Sequence, residues 1–237
     1  MIKKEVEKLL QYVQKPARYV GGELNSVIKD PDKVDIRYAF CFPDIYEIGM
    51  SHLGMKILYG LVNDREDSWC ERVFAPGVDF EEIMRKNDIP LYALESLEPV
   101  KDFDFIGFTM QYEMSYTNAL NMLDLAHVPV WAKDRGNDLA PLVVAGGPCV
   151  CNPEPLADFF DLFILGEGEE VNLELMDLYN QHKKKRSTRQ EFLKDAAQIK
   201  GIYVPLLYNV QYNDDNTIKS VTPIGNAPAV RLLLRPL

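Results

Sequence analysis

With 237 residues, 47% of them hydrophobic and 26% charged, the chain has a globular composition and enough length to bury a substantial core. Its formal net charge of −10 argues against nonspecific attraction to nucleic acid or to an anionic membrane, since both need a basic surface. No stretch approaches the roughly 20 apolar residues of a membrane span, and Met1 to Gln14 alternates lysine and glutamate where a signal peptide would need an apolar core. A cytoplasmic protein with no nucleic-acid or membrane partner is expected.

An amino-terminal helix is predicted over about Lys3 to Val13, ended by Pro16 and the Gly21-Gly22 pair. Val34, Ile36, Tyr38 and Phe40 alternate with Asp35, Arg37 and Ala39 before the run turns wholly apolar through Phe42, which predicts the first core strand. From Met50 the apolar residues fall at 50, 53, 54, 57, 58, 61 and 62, the spacing of a helix packed on one face. A strand near Trp69 to Phe74, a helix near Phe80 to Lys86, an apolar run Leu91 to Leu94, a strand Phe105 to Met110 and a helix Ser115 to His127 follow.

Leu142 to Ala145 and Leu162 to Leu165 are too short for helices and do not alternate, so they fit strands covered on both faces. A helical turn near Glu154 to Phe160 separates them, and a helix runs from Glu169 to His182. Alternating strands and helices with short connections predict an α/β fold with a doubly wound, mainly parallel sheet. Beyond it come a helix over Arg189 to Ile199 and a hairpin of Leu206 to Tyr212 and Thr217 to Thr222, outside the main sheet. The basic run Lys183-Lys184-Lys185-Arg186 reads as a solvated helix end whose cations oppose the dipole.

The two buried strands run into Gly146-Gly147 and Gly166-x-Gly168, at carboxyl ends where open α/β sheets bind ligands. Phosphate-bearing ligands fit poorly. The loop after the first strand, Phe42-Pro43-Asp44-Ile45-Tyr46-Glu47-Ile48-Gly49, carries two acids where a flavin phosphate would need donors. Gly166-x-Gly168-x-x-Val171 lacks the third glycine of a dinucleotide fingerprint, and Glu167, Glu169 and Glu170 crowd the helix start. Those glutamates either complement the helix dipole or contact a ligand.

A phosphorelay receiver is excluded by the missing phosphoacceptor and lysine, and none of His52, His127 and His182 is framed by a hydrolase motif. His52, near a helix start, reads as a capping or surface histidine. The four cysteines, Cys41, Cys70, Cys149 and Cys151, lack Cys-x-x-Cys spacing, so neither a zinc site nor a disulfide framework is signalled. Cys149 and Cys151 read as small loop residues beside the glycine turn.

Ala145-Gly146-Gly147-Pro148, Asn152-Pro153-Glu154-Pro155-Leu156, Asp161 and Gly166-Glu167-Gly168-Glu169-Glu170 together resemble the amino-terminal cobalamin-binding-type, Rossmann-like domain of radical S-adenosylmethionine proteins. Lys15-Pro16-Ala17-Arg18-Tyr19 with Gly21-Gly22-Glu23, Pro43 through Gly54 and Gly201-Ile202-Tyr203-Val204-Pro205 are similar to one subfamily of these proteins, so the likeness spans about Lys15 to Thr222. It implies a helical arm (1–32), a cobalamin-binding-like domain (33–184), a helix and hairpin leading to a radical S-adenosylmethionine barrel (185–226) and an atypical tail (227–237). The barrel would be a partner in cis or on a separate chain, the present chain ending as a fragment, split gene or frameshifted tail.

In the family the barrel holds S-adenosylmethionine and a 4Fe-4S cluster on cysteines spaced Cys-x-x-x-Cys-x-x-Cys, a triplet absent here. Radical generation is therefore not assigned to this chain. Many cobalamin domains supply an axial histidine from Asp-x-His-x-x-Gly, and the corresponding residues are Asp44-x-Tyr46-x-x-Gly49. A phenol is a poor transition-metal ligand at neutral pH, so cobalamin would bind without a protein ligand to cobalt at this position. The resemblance carries the cofactor contacts onto Asp44, Tyr46, Gly49, Ser51, Thr109, Gly146, Gly147, Gly166, Glu167, Gly168 and Glu169. Two readings follow: a domain that holds a corrinoid or shapes substrate access for the barrel, or a cofactor-free interaction or structural module.

Overall fold

The computed structural model describes residues 2–229. An amino-terminal helix, α1 (Ile2–Leu9), precedes the core, whose strands are β1 (Ile36–Phe42), β2 (Ser68–Phe74), β3 (Phe105–Thr109), β4 (Leu142–Gly146), β5 (Leu162–Ile164) and β6 (Ile202–Tyr203). They form one sheet in the order β2-β1-β3-β4-β5-β6, parallel through β5 with β6 antiparallel at the edge. The order reverses between β1 and β3, the switch point at which an open sheet leaves a crevice.

Each face of the sheet is covered. Ala39, Cys41, Val73, Ile106, Val143 and Phe163 point into one core with Phe80 and Met84 of α4 (Val78–Asn87) and Met122 and Leu123 of α5 (Tyr116–Leu125). Their neighbours Tyr38, Phe40, Phe105, Val144 and Ile164 point into the other. There they meet Met55 and Val62 of α3 (Leu53–Asn63), Leu175 and Tyr179 of α6 (Gly168–Lys185) and Phe192 of α7 (Arg189–Ala196). Burial on both faces is why the strands read as continuous apolar runs.

Several elements differ from the sequence reading for local reasons. The helix expected from Met50 is two: α2 (Tyr46–Ser51) stops at His52, whose extended backbone breaks the run and whose Nδ1 accepts from Met55 N at 3.1 Å to start α3. The apolar run Leu91 to Leu94 closes the sheet edge without becoming a strand: Leu94 N donates to Arg72 O at 2.9 Å and Arg72 N to Glu95 Oε2 at 2.7 Å. The turn expected over Glu154 to Phe160 contracts to a 3₁₀ turn, Glu154–Leu156. Gly201 to Pro205 contributes β6, and the hairpin is β7 (Tyr208–Tyr212) with β8 (Ile218–Pro223), a sheet of its own. The tail residues 230–237 lie outside the described residues.

One carboxylate ties the far half of the sheet together. Asp161 Oδ2 accepts from Val143 N at 2.7 Å and from Arg189 Nη1 at 2.9 Å, and Arg135 Nη1 pairs with it at 3.1 Å, while Asp161 N donates to Val143 O. Arg135 also donates to the carbonyls of Pro129, Val130 and Phe159, and Arg189 to those of Asp138 and Pro141. All three side chains are at most 8% exposed. Asp161→Ala strands two buried guanidinium groups and is expected to cost about 3–5 kcal/mol, read by urea unfolding. A loss under about 1 kcal/mol, the scale of a surface pair, would show that the cluster is not what holds this region.

Candidate functional site

The switch-point crevice is a slot of about 250 Å³ on the α3/α6 face, above the carboxyl halves of β1, β3, β4 and β5. Its walls are apolar: Phe40, Leu58, Val62, Phe108, Val144 and Ile164. Polar groups sit at the mouth and on the inner wall, from Thr109, Gln111, His52 and Glu167 to Tyr38 and Asn172. A small number of polar groups in an apolar pocket is the usual make-up of a small-molecule site.

The glycines allow the backbone to come this close. Gly147 has φ +102°, and a Cβ there would lie 2.7 Å from Met110 O, so only glycine serves where the loop after β4 crosses the loop after β3. Gly107 leaves room for Tyr38 to lie across β3: a Cβ would fall 2.1 Å from the Tyr38 hydroxyl. Tyr38 stacks on Phe105 with ring centroids 5.4 Å apart. Burial pushes its phenol well above the ordinary range, so the hydroxyl keeps its proton.

Of the residues singled out from sequence, Thr109, Gly146, Gly147, Gly166, Glu167, Gly168 and Glu169 line the slot. Asp44, Tyr46, Gly49 and Ser51 do not. Asp44 caps Ile45 N at 2.7 Å and accepts the Tyr112 hydroxyl at 2.8 Å. Tyr46 meets the Phe74 ring edge-on at 5.5 Å, Gly49 packs so tightly that a Cβ would lie 2.2 Å from Phe74, and Ser51 Oγ donates to Ile48 O at 2.7 Å. These four shape the loop after β1 without reaching the slot.

Sequence reasoning did not pick out Tyr38, Phe40, Leu58, Val62 or Asn172, because each belongs to an apolar or helical pattern that looks the same whether it packs or lines a cavity, nor Gln111, a single polar residue in the loop after β3. His52 is the cap that was expected and also borders the slot. Since Nδ1 accepts the cap hydrogen bond, the hydrogen of the neutral imidazole sits on Nε2, and no ring lone pair remains for a metal. Among the described residues no group of three or more His, Cys, Asp or Glu could hold a metal ion.

The rim is acidic. Glu169 and Glu170 occupy the first turn of α6 and Glu167 its N-cap, a placement that complements the helix dipole and repels a polyphosphate. A larger cleft, about 750 Å³, lies between β7 and residues 131–137, but Arg135 and Arg189 there are already committed to Asp161 and to carbonyls. Size alone therefore does not select it.

The family model for the N-terminal region of radical S-adenosylmethionine proteins matches residues 54–205. The chain belongs to this family. The slot residues from Gly54 to Asn172 fall within the matched region, whereas Tyr38, Phe40 and His52, the arm and the loop after β1 precede it. An uncharacterized protein of Methanocaldococcus jannaschii is 32% identical over 143 residues, which cover 59% of this chain and 26% of that relative. The chain thus matches about a quarter of the relative's length. No solved structure matches. Among the described residues no helix is long and apolar enough to cross a membrane.

The arm is fastened to the loop after β1 by Glu47, which accepts from Arg18 Nε at 3.0 Å, Arg18 Nη2 at 2.9 Å and Lys15 Nζ at 2.9 Å. The Arg18 hydrogen bond, then that of Lys15, lowers the Glu47 carboxyl from 4.5 to about 2. Because the folded value lies below the ordinary one, the tether contributes stability above about pH 4.5 and loses it as pH falls toward 2. A carboxyl-carbon NMR titration is expected to place Glu47 near 2 in the native chain and to move it upward in Arg18→Ala, where only Lys15 still pairs with it. An unshifted native value would sink the tether.

Proposed function

We propose that this domain holds a corrinoid for a radical S-adenosylmethionine protein, with the nucleotide tail in the α3/α6 slot and the corrin ring over the carboxyl rim of the sheet. The observation that carries the reading is the slot itself. It is a largely apolar slot of about 250 Å³, bordered by two glycine-bearing loops and by acids that disfavour terminal phosphates. A tail base with one bridging phosphodiester suits such a channel better than a di- or triphosphate does.

The protein would supply no ligand to cobalt: Tyr46 packs on Phe74, and His52 is engaged as a helix cap. Thr109 and Gln111, linked by a hydrogen bond of 2.7 Å, stand where the tail would enter. The bound corrinoid would contribute cobalt-centred methyl or radical chemistry; the residues here would hold and orient it and keep water from the tail.

The same rim carries exposed apolar side chains in the segments that follow three successive strands: Ile48 in α2 and Leu53 at the start of α3, Val78 at the start of α4, and Tyr112 and Met114 after β3. Apolar exposure grouped on one edge marks a contact surface. The occupant we assign is the catalytic domain of the radical S-adenosylmethionine protein, closing over the ring; the relative's much greater length supports this.

The full chain mixed with a benzimidazole-bearing or a purine-bearing cobamide and then desalted is expected to retain corrinoid, with the absorbance of the form whose lower base has left cobalt. Leu58→Trp, which extends an indole into the slot, should weaken retention by at least about tenfold, a loss of about 1.4 kcal/mol. Retention of neither cobamide overturns the proposal and favours a cofactor-free interaction module.

A further inference from the structure

The inner wall of the slot is polar where a benzimidazole would need it apolar. Tyr38 and Asn172 are both buried, and the Tyr38 hydroxyl donates to Asn172 Oδ1 across 3.4 Å, longer than a well-formed O–H···O bond. Asn172 Nδ2 donates to Gly168 O at 2.6 Å, which uses one of its two hydrogens. A carboxamide with a donor and an acceptor to spare, next to a phenol that can still accept, is therefore held inside an otherwise apolar channel. Buried polar groups with unused capacity are costly unless something pairs with them.

Dimethylbenzimidazole carries only methyl groups on its outer edge and would leave the spare donor and acceptor of Asn172 and the Tyr38 oxygen unused. Adenine presents an exocyclic amine beside a ring-nitrogen acceptor, the pattern that an asparagine carboxamide reads with two hydrogen bonds. Resting on the corrinoid reading above, we infer that the slot selects a tail base with an adenine-type edge, read by Asn172 and Tyr38, over dimethylbenzimidazole. The base would slide between Leu58 and Val62 of α3 and Val144 and Ile164 of the sheet until its amine reaches Asn172 Oδ1. The raised Tyr38 pKa keeps that hydroxyl neutral, so it faces the base as a hydrogen-bonding group and not as a charge. A nucleoside polyphosphate with the same base is disfavoured by Glu167 and Glu169 at the mouth.

Two sources share this chemistry, a cobamide with adenine as its lower base and a free adenine nucleoside, and one set of titrations separates them. The full chain is titrated with adenine-bearing cobamide, hydroxocobalamin, adenosine and ATP, by absorbance for the corrinoids and by calorimetry for the others. The adenine-bearing cobamide is expected to bind about tenfold more tightly than hydroxocobalamin, the lower part of the range for one good bidentate base contact. Asn172→Leu should erase that preference, and Tyr38→Phe, which keeps the ring stacking, should reduce it; unchanged thermal unfolding confirms that each variant is folded.

Equal or tighter binding of hydroxocobalamin overturns the inference and leaves the corrinoid function standing. Adenosine binding that Asn172→Leu abolishes, with no cobamide bound, upholds the purine site and removes the corrinoid reading. No binding by either cobamide or adenosine overturns both. ATP binding more tightly than adenosine overturns the inference by showing that the mouth accepts polyphosphate.

Discussion

The register of β4 against β5 depends on Asp161. Its backbone N–H and one carboxylate oxygen both bond to Val143, extending the ladder before β5 begins, and the same oxygen meets two arginines from chain segments on either side. Arg189 opens α7 and Arg135 lies in the connection between α5 and β4, so one buried charge ties that connection and the start of α7 to the start of β5. Three residues of strand are then enough to carry β5 to Gly166. The two glycine loops stand side by side at the slot mouth because the opposite ends of their strands are locked together.

A second set of buried charges closes the outer edge. β2 is buried along its whole length although Glu71 and Arg72 lie at its centre. Burial pushes the Glu71 carboxyl upward against the pull of Arg37, which also reaches Glu98 and lies over the Phe103 ring at 4.1 Å. Arg72 is held by Glu95 and Glu23 and lies over Tyr59 at 4.6 Å. The arm completes the edge: Lys29 Nζ donates to the carbonyls of Asn63, Arg65 and Ser68 at 2.6–2.7 Å, satisfying acceptors at and beyond the end of α3. Paired this way, charges that would be costly alone cover an edge that would otherwise present unpaired backbone groups.

Between these anchors the centre of the sheet opens into the slot. Its groups are chosen by contrast: acids at the mouth, apolar walls, and an under-bonded carboxamide and phenol within. On the proposed reading, the acids that would repel pyrophosphate leave a neutral base favoured. The loop after β1 has a structural part in this, since His52 spends its Nδ1 on the cap that starts α3, and α3 forms one wall.

The sequence by itself determined the class of the fold and the location of the rim. Continuous apolar strands require cover on both faces, and glycine pairs after Ala145 and Leu165 mark close backbone approach; both are local properties that neighbouring residues express. It also identified Thr109 and the two glycine loops, which the fold brings to one slot. Asp44, Tyr46, Gly49 and Ser51 share the right loop, but which side of it a side chain takes is settled by packing on Phe74 and Tyr112. Only the tertiary structure decided the depth of the site. Tyr38 and Asn172 are 134 positions apart, and each sits in a periodic pattern that reads as core. Their meeting depends on the absent side chain of Gly107, on a third strand between them, and no local pattern can record an empty volume created at long range.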